Sequence, residues 1–225
     1  MKKPIFEIKN LIYTNNKFNA LSIKKFEVHR SACYLFNGNM GSGKTLLLNI
    51  LSKNNSGYKG DLFYEGELLK KINKSSYNKD IKYVTQDFKA PYFKTVEKYL
   101  YSTISSSSSP LNVEKTVNEI VRIMDFKYIL HSKMRDLSPG QLRWVNLAAN
   151  IAAFPKVLLI DELELHLSMV KIKNLCKVLY RKVNFEGITI IATTQNKDFF
   201  TNLTSVGISI NNGRITSVRS KSYKK

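Results

Sequence analysis

Apolar residues in the first part of the chain fall in short runs that are rich in branched and aromatic side chains. Such runs cover residues 5–8, 21–28 and 33–36, and their length and composition predict β-strands. The next apolar segment, residues 44–51, instead has the length and composition of a helix packed beneath a sheet. A further strand is predicted at residues 81–85. We therefore expect mostly β-structure in this part of the chain, with one early helix.

The middle of the chain, from about residue 92 to residue 154, has the pattern of helices. Within it, apolar residues recur three and four positions apart, which is the spacing of one helical face. These residues are Val113, Val117, Ile120, Val121 and Met124. A run of serines at 105–109, followed by Pro110, predicts a surface loop that joins two helices, because short hydroxyl side chains compete for backbone hydrogen bonds.

The last third of the chain alternates between strand and helix patterns. Apolar runs at 157–160 and 188–192 predict buried strands, and the segment between them has the periodicity of a helix with one apolar side. This order is typical of a parallel sheet, so the predicted fold class is α/β. Because no long linker and no repeat interrupts the chain, a single domain over residues 1–225 is predicted, with a basic tail at about 217–225.

The composition of the 225 residues is that of a globular protein, and it limits the cellular compartments in which the protein is expected. Hydrophobic residues make up 43% of the chain, yet no apolar run approaches the ~20 residues that a membrane span requires. Two cysteines are too few for a disulfide framework, which favours the cytosol or its membrane face. The net charge of +19 indicates either a lysine-rich solvated surface or a polyanionic partner, such as nucleic acid or anionic lipid.

Several residue types that often carry chemistry are interpreted as structural. Cys33 lies in a predicted strand and Cys176 on an apolar helix face, so both are expected in the core. Trp144 is expected to pack inside the helical region. The three histidines lack the spacing of zinc ligands; they are His29, His131 and His166.

Residues 38–45 form the first motif that carries chemistry. They fit the pattern G-x-x-x-x-G-K-[ST] and lie between a predicted strand and a predicted helix. Glycines allow the backbone amides to turn toward one concavity, Lys44 reaches the terminal phosphates, and Thr45 can bind Mg²⁺. A glycine turn without a ligand is the alternative. The residues predicted to bind a nucleoside triphosphate are Asn39, Gly41, Ser42, Gly43, Lys44 and Thr45.

Two acidic residues follow the apolar strand predicted at 157–160. Asp161 would lie at the carboxyl end of that strand, where ligand sites of α/β sheets form and where a carboxylate can hold Mg²⁺. Glu162 is the next residue and can polarise a water molecule for attack on the γ-phosphoryl group. Both could instead be a charged strand terminus, but the phosphate-loop motif at 38–45 favours the catalytic interpretation.

A third motif distinguishes this chain from most nucleotide hydrolases. Residues 137–141 read Leu-Ser-Pro-Gly-Gln and open an apolar helix, and Gln86 follows the strand predicted at 81–85. With the phosphate loop and the acidic pair in this order, the chain resembles the ATP-binding cassette (ABC) family over nearly its whole length. The resemblance implies a P-loop NTPase fold with a RecA-like, mainly parallel sheet, an antiparallel β subdomain and a helical signature subdomain at about 92–154.

The resemblance also implies roles for individual residues. Ser138, Gly140 and Gln141 would contact the γ-phosphate of an ATP molecule that is held by the opposite subunit. Gln86 would bind Mg²⁺ or water, and Tyr13 would stack on adenine, with a plain strand residue as the alternative interpretation of Tyr13. The implied catalytic residues are Glu162, Gln86 and Lys44, and the implied Mg²⁺ ligands are Thr45, Gln86 and Asp161.

The chain departs from the family pattern at three positions. Pro139 replaces the first glycine of the signature and removes one backbone donor. Ser168 stands where the family usually has an aspartate that crosses the dimer interface. The switch histidine of the family would align with Thr194, and either Thr194 or Gln195 could hydrogen-bond the γ-phosphate in its place. These departures predict ATP hydrolysis that is slow rather than absent.

The implied assembly is a head-to-tail dimer, homomeric or heteromeric, with ATP between the two cassettes. An integral membrane permease subunit would dock near Phe88, Tyr92 and Phe93, although these aromatics could also pack between the two subdomains. The protein would then lie in the cytoplasm, peripherally on the inner face of the cell membrane. The alternative is a soluble ATPase of the family that acts on nucleic acid or ribosomes, which the net charge favours; without a second cassette or a coiled-coil insertion, nucleic acid is the less expected partner. A nucleotide kinase is disfavoured by the segment at 137–141.

Overall fold

Two β-sheets and six α-helices make up the part of the chain that the computed structural model describes, residues 3–15, 18–107 and 112–221. The strands are β1 (Phe6–Asn15), β2 (Phe18–Val28), β3 (Cys33–Asn37), β4 (Lys59–Tyr64), β5 (Glu67–Leu68), β6 (Ile81–Val84), β7 (Val157–Ile160), β8 (Thr189–Thr194), β9 (Val206–Asn211) and β10 (Arg214–Ser220). The helices are α1 (Lys44–Leu51), α2 (Lys74–Asp80), α3 (Val96–Ile104), α4 (Val113–Ile123), α5 (Pro139–Ala152) and α6 (Met169–Asn184).

The larger sheet has six strands in the order β10-β9-β3-β8-β7-β6. Strands β9, β3, β8, β7 and β6 run parallel, and β10 closes one edge as an antiparallel partner of β9. The smaller sheet is antiparallel, in the order β2-β1-β4-β5. The predicted α/β fold with a mainly parallel sheet and an antiparallel sheet is confirmed. Its parallel strands end at one edge, which places the loops that follow β3, β6, β7 and β8 side by side.

Strand β7 lies between β6 and β8 and divides the core into two layers. Its four residues are buried, and successive side chains point to opposite faces of the sheet. Leu158 and Ile160 belong to a hydrophobic cluster with α3, α4, α5 and α6. Val157 and Leu159 belong to a second cluster, with α1 and the antiparallel sheet. The continuous apolar run at 157–160 therefore reflects burial on both faces.

Helices α3, α4 and α5 lie between β6 and β7 in the sequence and pack on one face of the larger sheet. Trp144 of α5 is 2% exposed, and its indole nitrogen donates a 2.7 Å hydrogen bond to the carbonyl of Met124. Cys33 is fully buried in β3, and Cys176 is half-buried on α6 against the same cluster. Among the described residues, none of the helices combines the length and apolar character that crossing a bilayer requires.

The chain termini and the serine segment differ in part from the sequence prediction. Strand β10 runs to Ser220, so the prediction of a tail from residue 217 is wrong for residues 217–220. These residues pair with β9, and Val218 lies opposite Ile208. Residues 222–225 lie outside the described part of the chain. Residues 108–111, which include the end of the serine run and Pro110, also lie outside it, and residues 105–107 form a turn after α3.

Candidate functional site

The phosphate loop joins the buried end of β3 to the first turn of α1. Gly41 and Gly43 have φ angles of +76° and +101°, a region that glycine adopts at little cost. Gly43 is the N-terminal cap of α1, and no side chain caps this helix start. A side chain at Gly38 would meet the carbonyl oxygen of Ile210 at 2.2 Å. The sequence therefore builds a backbone concavity at a helix N-terminus, which suits an anion.

The Lys44 side chain folds back across this loop. Its Nζ atom donates hydrogen bonds to the carbonyls of Gly38 at 2.6 Å and Asn39 at 2.9 Å. Burial lowers the pKa of Lys44 from its usual value, and the nearby carboxylates of Glu162 and Asp161 oppose that shift. The ammonium group is thus held between the loop and the acidic pair, where it can exchange carbonyl partners for phosphate oxygens.

Asp161 follows β7 and is 1% exposed. Its Oδ1 atom accepts a 2.6 Å hydrogen bond from the hydroxyl of Thr193, whereas Oδ2 is buried and has no hydrogen-bond partner among the described residues. A buried carboxylate oxygen without a partner is costly unless a cation or donor completes its environment. Gln86 lies beyond β6, and its side-chain amide donates to the Thr45 hydroxyl at 3.4 Å. Carboxylate, hydroxyl and amide oxygens are the ligands that Mg²⁺ prefers, so these residues fit a magnesium ion.

Glu162 occupies an unusual backbone conformation next to Asp161. Its φ angle is +50°, and its amide donates a 2.8 Å hydrogen bond to the Thr193 hydroxyl. Its carboxylate oxygen Oε1 accepts a 2.6 Å hydrogen bond from the side-chain amide of Gln195. The carboxylate is half-buried and fixed by a neighbouring strand end, which is the arrangement required of a base that orients water.

The two residues that could replace the switch histidine, Thr194 and Gln195, lie in different environments. Strand β8 extends to Thr194, whose side chain is fully buried and donates a 2.8 Å hydrogen bond to Oε1 of Glu164. Gln195 is the first residue beyond the strand and is exposed on the side of Glu162. Because adjacent residues at a strand end point in different directions, Gln195 and not Thr194 occupies the position beside the predicted catalytic glutamate.

Glu164 belongs to the candidate site and was missed by the sequence analysis. Besides the Thr194 hydroxyl, its Oε1 atom accepts hydrogen bonds from the amides of Gln195 at 2.7 Å and Asn196 at 3.3 Å. Its Oε2 atom is buried and has no partner among the described residues. The available signal was a third carboxylate at alternate spacing, after Glu162. Glu164 fixes the turn that presents Gln195.

The signature segment begins α5. Ser138 and Gln141 form a capping box, in which Ser138 Oγ accepts from the Gln141 amide at 3.3 Å and Gln141 Oε1 accepts from the Ser138 amide at 3.0 Å. Pro139 is the first residue of the helix, where its missing N–H has no intrahelical acceptor to lose. A side chain at Gly140 would lie 2.8 Å from the carbonyl oxygen of His166. The substitution of proline for glycine is therefore compatible with an intact helix start.

The remaining predicted site residues are not part of this cluster. Tyr13 is half-buried on β1 and packs against the second core cluster. Phe88 contacts the ring of Tyr99 at a centroid distance of 5.6 Å. Tyr92 and Phe93 are 59% and 86% exposed, with ring centroids 5.0 Å apart. The aromatic segment is thus divided between a packed residue and an exposed pair.

Two family models match parts of this chain. A family model described as "ABC transporter" matches residues 21–164, and one described as "AAA domain, putative AbiEii toxin, Type IV TA system" matches residues 132–200. A putative ABC transporter ATP-binding protein of Bacillus anthracis is 31% identical over 217 residues, 93% of this chain. The chain spans only 39% of that relative's length. The cell division ATP-binding protein FtsE of Streptococcus pneumoniae is 29% identical over 188 residues, which are 82% of this chain and 81% of FtsE.

The fold is also similar to that of solved ATP-binding cassettes. The dimeric ATP-binding cassette MJ0796, bound to ADP and phosphate, superposes with a TM-score of 0.84 at 18% identity and covers 97% of this chain and 100% of its own. The region matched by the ABC transporter model begins in β2, contains the phosphate loop, Gln86, the signature segment and both acidic residues, and amounts to more than half of the chain. The chain therefore belongs to the ABC transporter family.

Proposed function

We propose that this chain is the ATP-binding and ATP-hydrolysing subunit of an ABC-type membrane transporter, or of a related membrane machine, and that it works as a head-to-tail dimer. One observation carries the proposal: the loops after β3, β6, β7 and β8 meet at one sheet edge. They bring a phosphate loop, a glutamine, an aspartate with an unpartnered oxygen and a positioned glutamate into one site.

Nucleotide binding is assigned to the phosphate loop and α1. The loop amides and the Lys44 ammonium hold the phosphates of ATP, and Tyr13 stacks on its adenine. Thr45, Gln86 and Asp161 would hold Mg²⁺, which when bound neutralises charge on the phosphate oxygens. The buried Oδ2 atom of Asp161 supports this assignment.

Hydrolysis is assigned to Glu162. Its carboxylate orients a water molecule and accepts a proton as the water oxygen bonds to the γ-phosphorus, while the bond from that phosphorus to the bridging oxygen breaks and ADP leaves. Gln195 keeps the carboxylate in place through its 2.6 Å hydrogen bond. Because an amide does not titrate, Gln195 cannot supply the positive charge that an imidazolium would, which supports slow hydrolysis.

The second half of each site would come from another cassette, a second copy or a related chain. Ser138, Gly140 and Gln141 begin a helix whose N-terminus is exposed and carries partial positive charge, which suits the γ-phosphate of the partner's ATP. ATP then stabilises the closed dimer, and its cleavage removes that interaction. The exposed pair Tyr92 and Phe93 is proposed to bind a membrane-embedded permease subunit, so that the protein lies on the inner face of the membrane.

The experiment compares the wild-type protein with Glu162→Gln and with the control Glu119→Gln, an exposed residue of α4. Wild type and control are expected to hydrolyse ATP, and Glu162→Gln to bind ATP with a turnover lower by at least about 100-fold. Sedimentation in ATP should show Glu162→Gln as a dimer. Equal turnover in Glu162→Gln and wild type would remove Glu162 as the base, and absence of ATP binding would overturn the proposal.

A soluble ATPase of the family that acts on nucleic acid is the second candidate, and the net charge of +19 favours it. Fractionation of cells decides between the two. Recovery in the membrane fraction, released by high salt or by loss of a permease, supports the transporter subunit. Recovery wholly in a nuclease-sensitive, ribosome-bound or nucleic-acid-bound pool supports the second candidate.

A further inference from the structure

Arg143 is a buried cation in the second turn of α5, and all its hydrogen bonds within the described residues go to main-chain carbonyls. The residue is 4% exposed. Its Nη1 atom donates to the carbonyl of Thr85 at 2.7 Å, and its Nη2 atom donates to the carbonyls of Asp161 at 2.6 Å and Glu162 at 2.9 Å. The planar guanidinium group therefore spans the ends of two neighbouring strands.

These carbonyls occupy the point where the sheet ladder ends. The amide of Asp161 still donates to the carbonyl of Val84 at 2.9 Å, which continues the pairing of β6 with β7. The next residue, Glu162, has a φ angle of +50°, a conformation that costs a non-glycine residue about 1 kcal/mol or more. Where strand pairing stops, the guanidinium group of Arg143 donates hydrogen bonds to the backbone carbonyls. These bonds hold the backbone of Glu162 in this conformation.

The charge on Arg143 is retained at neutral pH. Burial lowers its pKa to about 10, and the carboxylates of Asp161, Glu162 and Glu164 oppose the shift. A buried cation without an ion-pair partner is expensive, and hydrogen bonds to several carbonyls are one way of offsetting that cost. The next residues of α5, including Trp144, Val145 and Leu147, belong to the hydrophobic cluster, so packing of this helix does not by itself call for a cation.

We propose that Arg143 is a positioning residue that fixes the backbone of Gln86 and Glu162 relative to the signature helix. It acts through the carbonyl of Thr85, directly before Gln86, and through the carbonyl of Glu162 itself. The inference rests on the proposed function, because the proposed function assigns Ser138, five residues before Arg143, to the partner's ATP. A shift of α5 when the dimer closes would then move Gln86 and Glu162 in this chain's own site.

The experiment uses the full chain with Arg143→Met, which removes the donors, and Arg143→Lys, which keeps the charge but not the planar fork. Asn150→Ala is the matched control, because Asn150 is a buried polar residue of α5 whose side-chain amide donates to Asn146 on the same helix. Hydrogen exchange is measured by mass spectrometry without nucleotide, and kcat and KM for ATP are measured separately.

Both Arg143 variants are expected to exchange at least about fivefold faster than wild type in peptides that cover residues 83–88 and 158–165, with little change elsewhere. Their kcat is expected to fall about 10-fold to 100-fold while KM for ATP stays within about threefold, because nucleotide contacts are intact and the base is misplaced. The control is expected to change neither segment.

Unchanged exchange and kcat in folded Arg143→Met would overturn the inference, as would an equal effect of the control. If neither Arg143 variant folds, the residue serves stability of the whole domain and the positioning role is also overturned. The two proposals remain distinguishable. If wild type lacks ATP turnover and the exchange difference persists, the proposed function fails and the positioning role stands. If wild type hydrolyses ATP and the folded Arg143 variants match it in turnover and in exchange, the positioning role fails and the proposed function stands.

Discussion

The side-chain amide of Gln195 and the carboxylate of Glu162 are joined by a 2.6 Å hydrogen bond between Nε2 and Oε1. The bond links the first residue beyond β8 to the second residue beyond β7. A hydrogen bond to an ionised group contributes about 1.5–3 kcal/mol and fixes direction as well as position. The orientation of the proposed base therefore depends on the end of the adjacent strand.

Removal of this amide is expected to slow hydrolysis. Gln195→Ala should lower kcat by about 10-fold to 100-fold, which corresponds to the loss of one hydrogen bond to a charged group, with ATP affinity unchanged. Gln195→His should raise kcat above wild type, because an imidazolium can stabilise charge on the γ-phosphate. Steady-state ATPase assays measure both, with the exposed Lys197→Ala as control. A Gln195→Ala variant as fast as wild type would contradict this assignment.

Glu164 is expected to stabilise the turn that carries Gln195. Glu164→Ala removes the acceptor of three hydrogen bonds and should lower the free energy of unfolding by about 2–3 kcal/mol. Glu164→Gln keeps an acceptor oxygen and should lower the free energy of unfolding by a smaller amount. Urea unfolding measures the difference, and Glu119→Ala, at an exposed helix position, should change it by less than about 0.5 kcal/mol. Equal stability of Glu164→Ala and wild type would show that the turn holds without this carboxylate.

Asp161 provides a test of metal binding that is independent of turnover. Because its Oδ2 atom has no partner among the described residues, Asp161→Asn should alter the stability of the nucleotide-free protein by no more than about 1 kcal/mol. The same variant should lose the rise in Tm that MgATP gives to the wild type, since an amide is a weaker Mg²⁺ ligand. Thermal unfolding with MgATP, and with ATP plus EDTA, measures the effect. A full MgATP shift in Asp161→Asn would exclude Asp161 as a metal ligand.

Pro139 is expected to weaken the ATP-bound dimer. Pro139→Gly restores a backbone donor at the start of α5 and should lower the dimer Kd in ATP by about 3-fold to 10-fold, measured by sedimentation in the Glu162→Gln background. The free energy of unfolding should fall by about 0.5–1 kcal/mol, because glycine makes the unfolded chain more flexible. Pro91→Gly, outside the signature helix, should leave the dimer Kd unchanged. A weaker dimer in Pro139→Gly would mean that this amide does not contact nucleotide.

Both cysteines should react slowly in the native protein. Burial raises the pKa of the Cys33 thiol well above its usual range, and burial also raises the pKa of Cys176. A raised pKa lowers the thiolate fraction at pH 8, so both thiols should react more slowly in the native protein than in urea. In Cys176→Ser, the remaining Cys33 should react with a thiol reagent at least about 100-fold more slowly before unfolding than after it. Native Cys33 that reacts as fast as in urea would contradict its burial.

The parts of the site that the sequence predicts are those with local patterns. The phosphate loop and the acidic pair follow short apolar strands, so their positions are determined by chain neighbours. The choice between Thr194 and Gln195 could not be made from the sequence, because β8 extends two residues beyond the apolar run and the exact strand end decides which side chain faces the site. Arg143 was missed for another reason: its bond to Thr85 joins residues 58 positions apart, which no local pattern reveals.

The capping box of α5 has a consequence for phosphate recognition. In this bond the Ser138 hydroxyl uses a lone pair to accept from the Gln141 amide, and its own hydrogen is not consumed. The same oxygen can therefore terminate the helix and at the same time offer its proton outward to a phosphoryl oxygen. In the proposed dimer, recognition of a partner's nucleotide would then require no unwinding of α5, and the segment would already have its ligand-binding conformation before two cassettes associate.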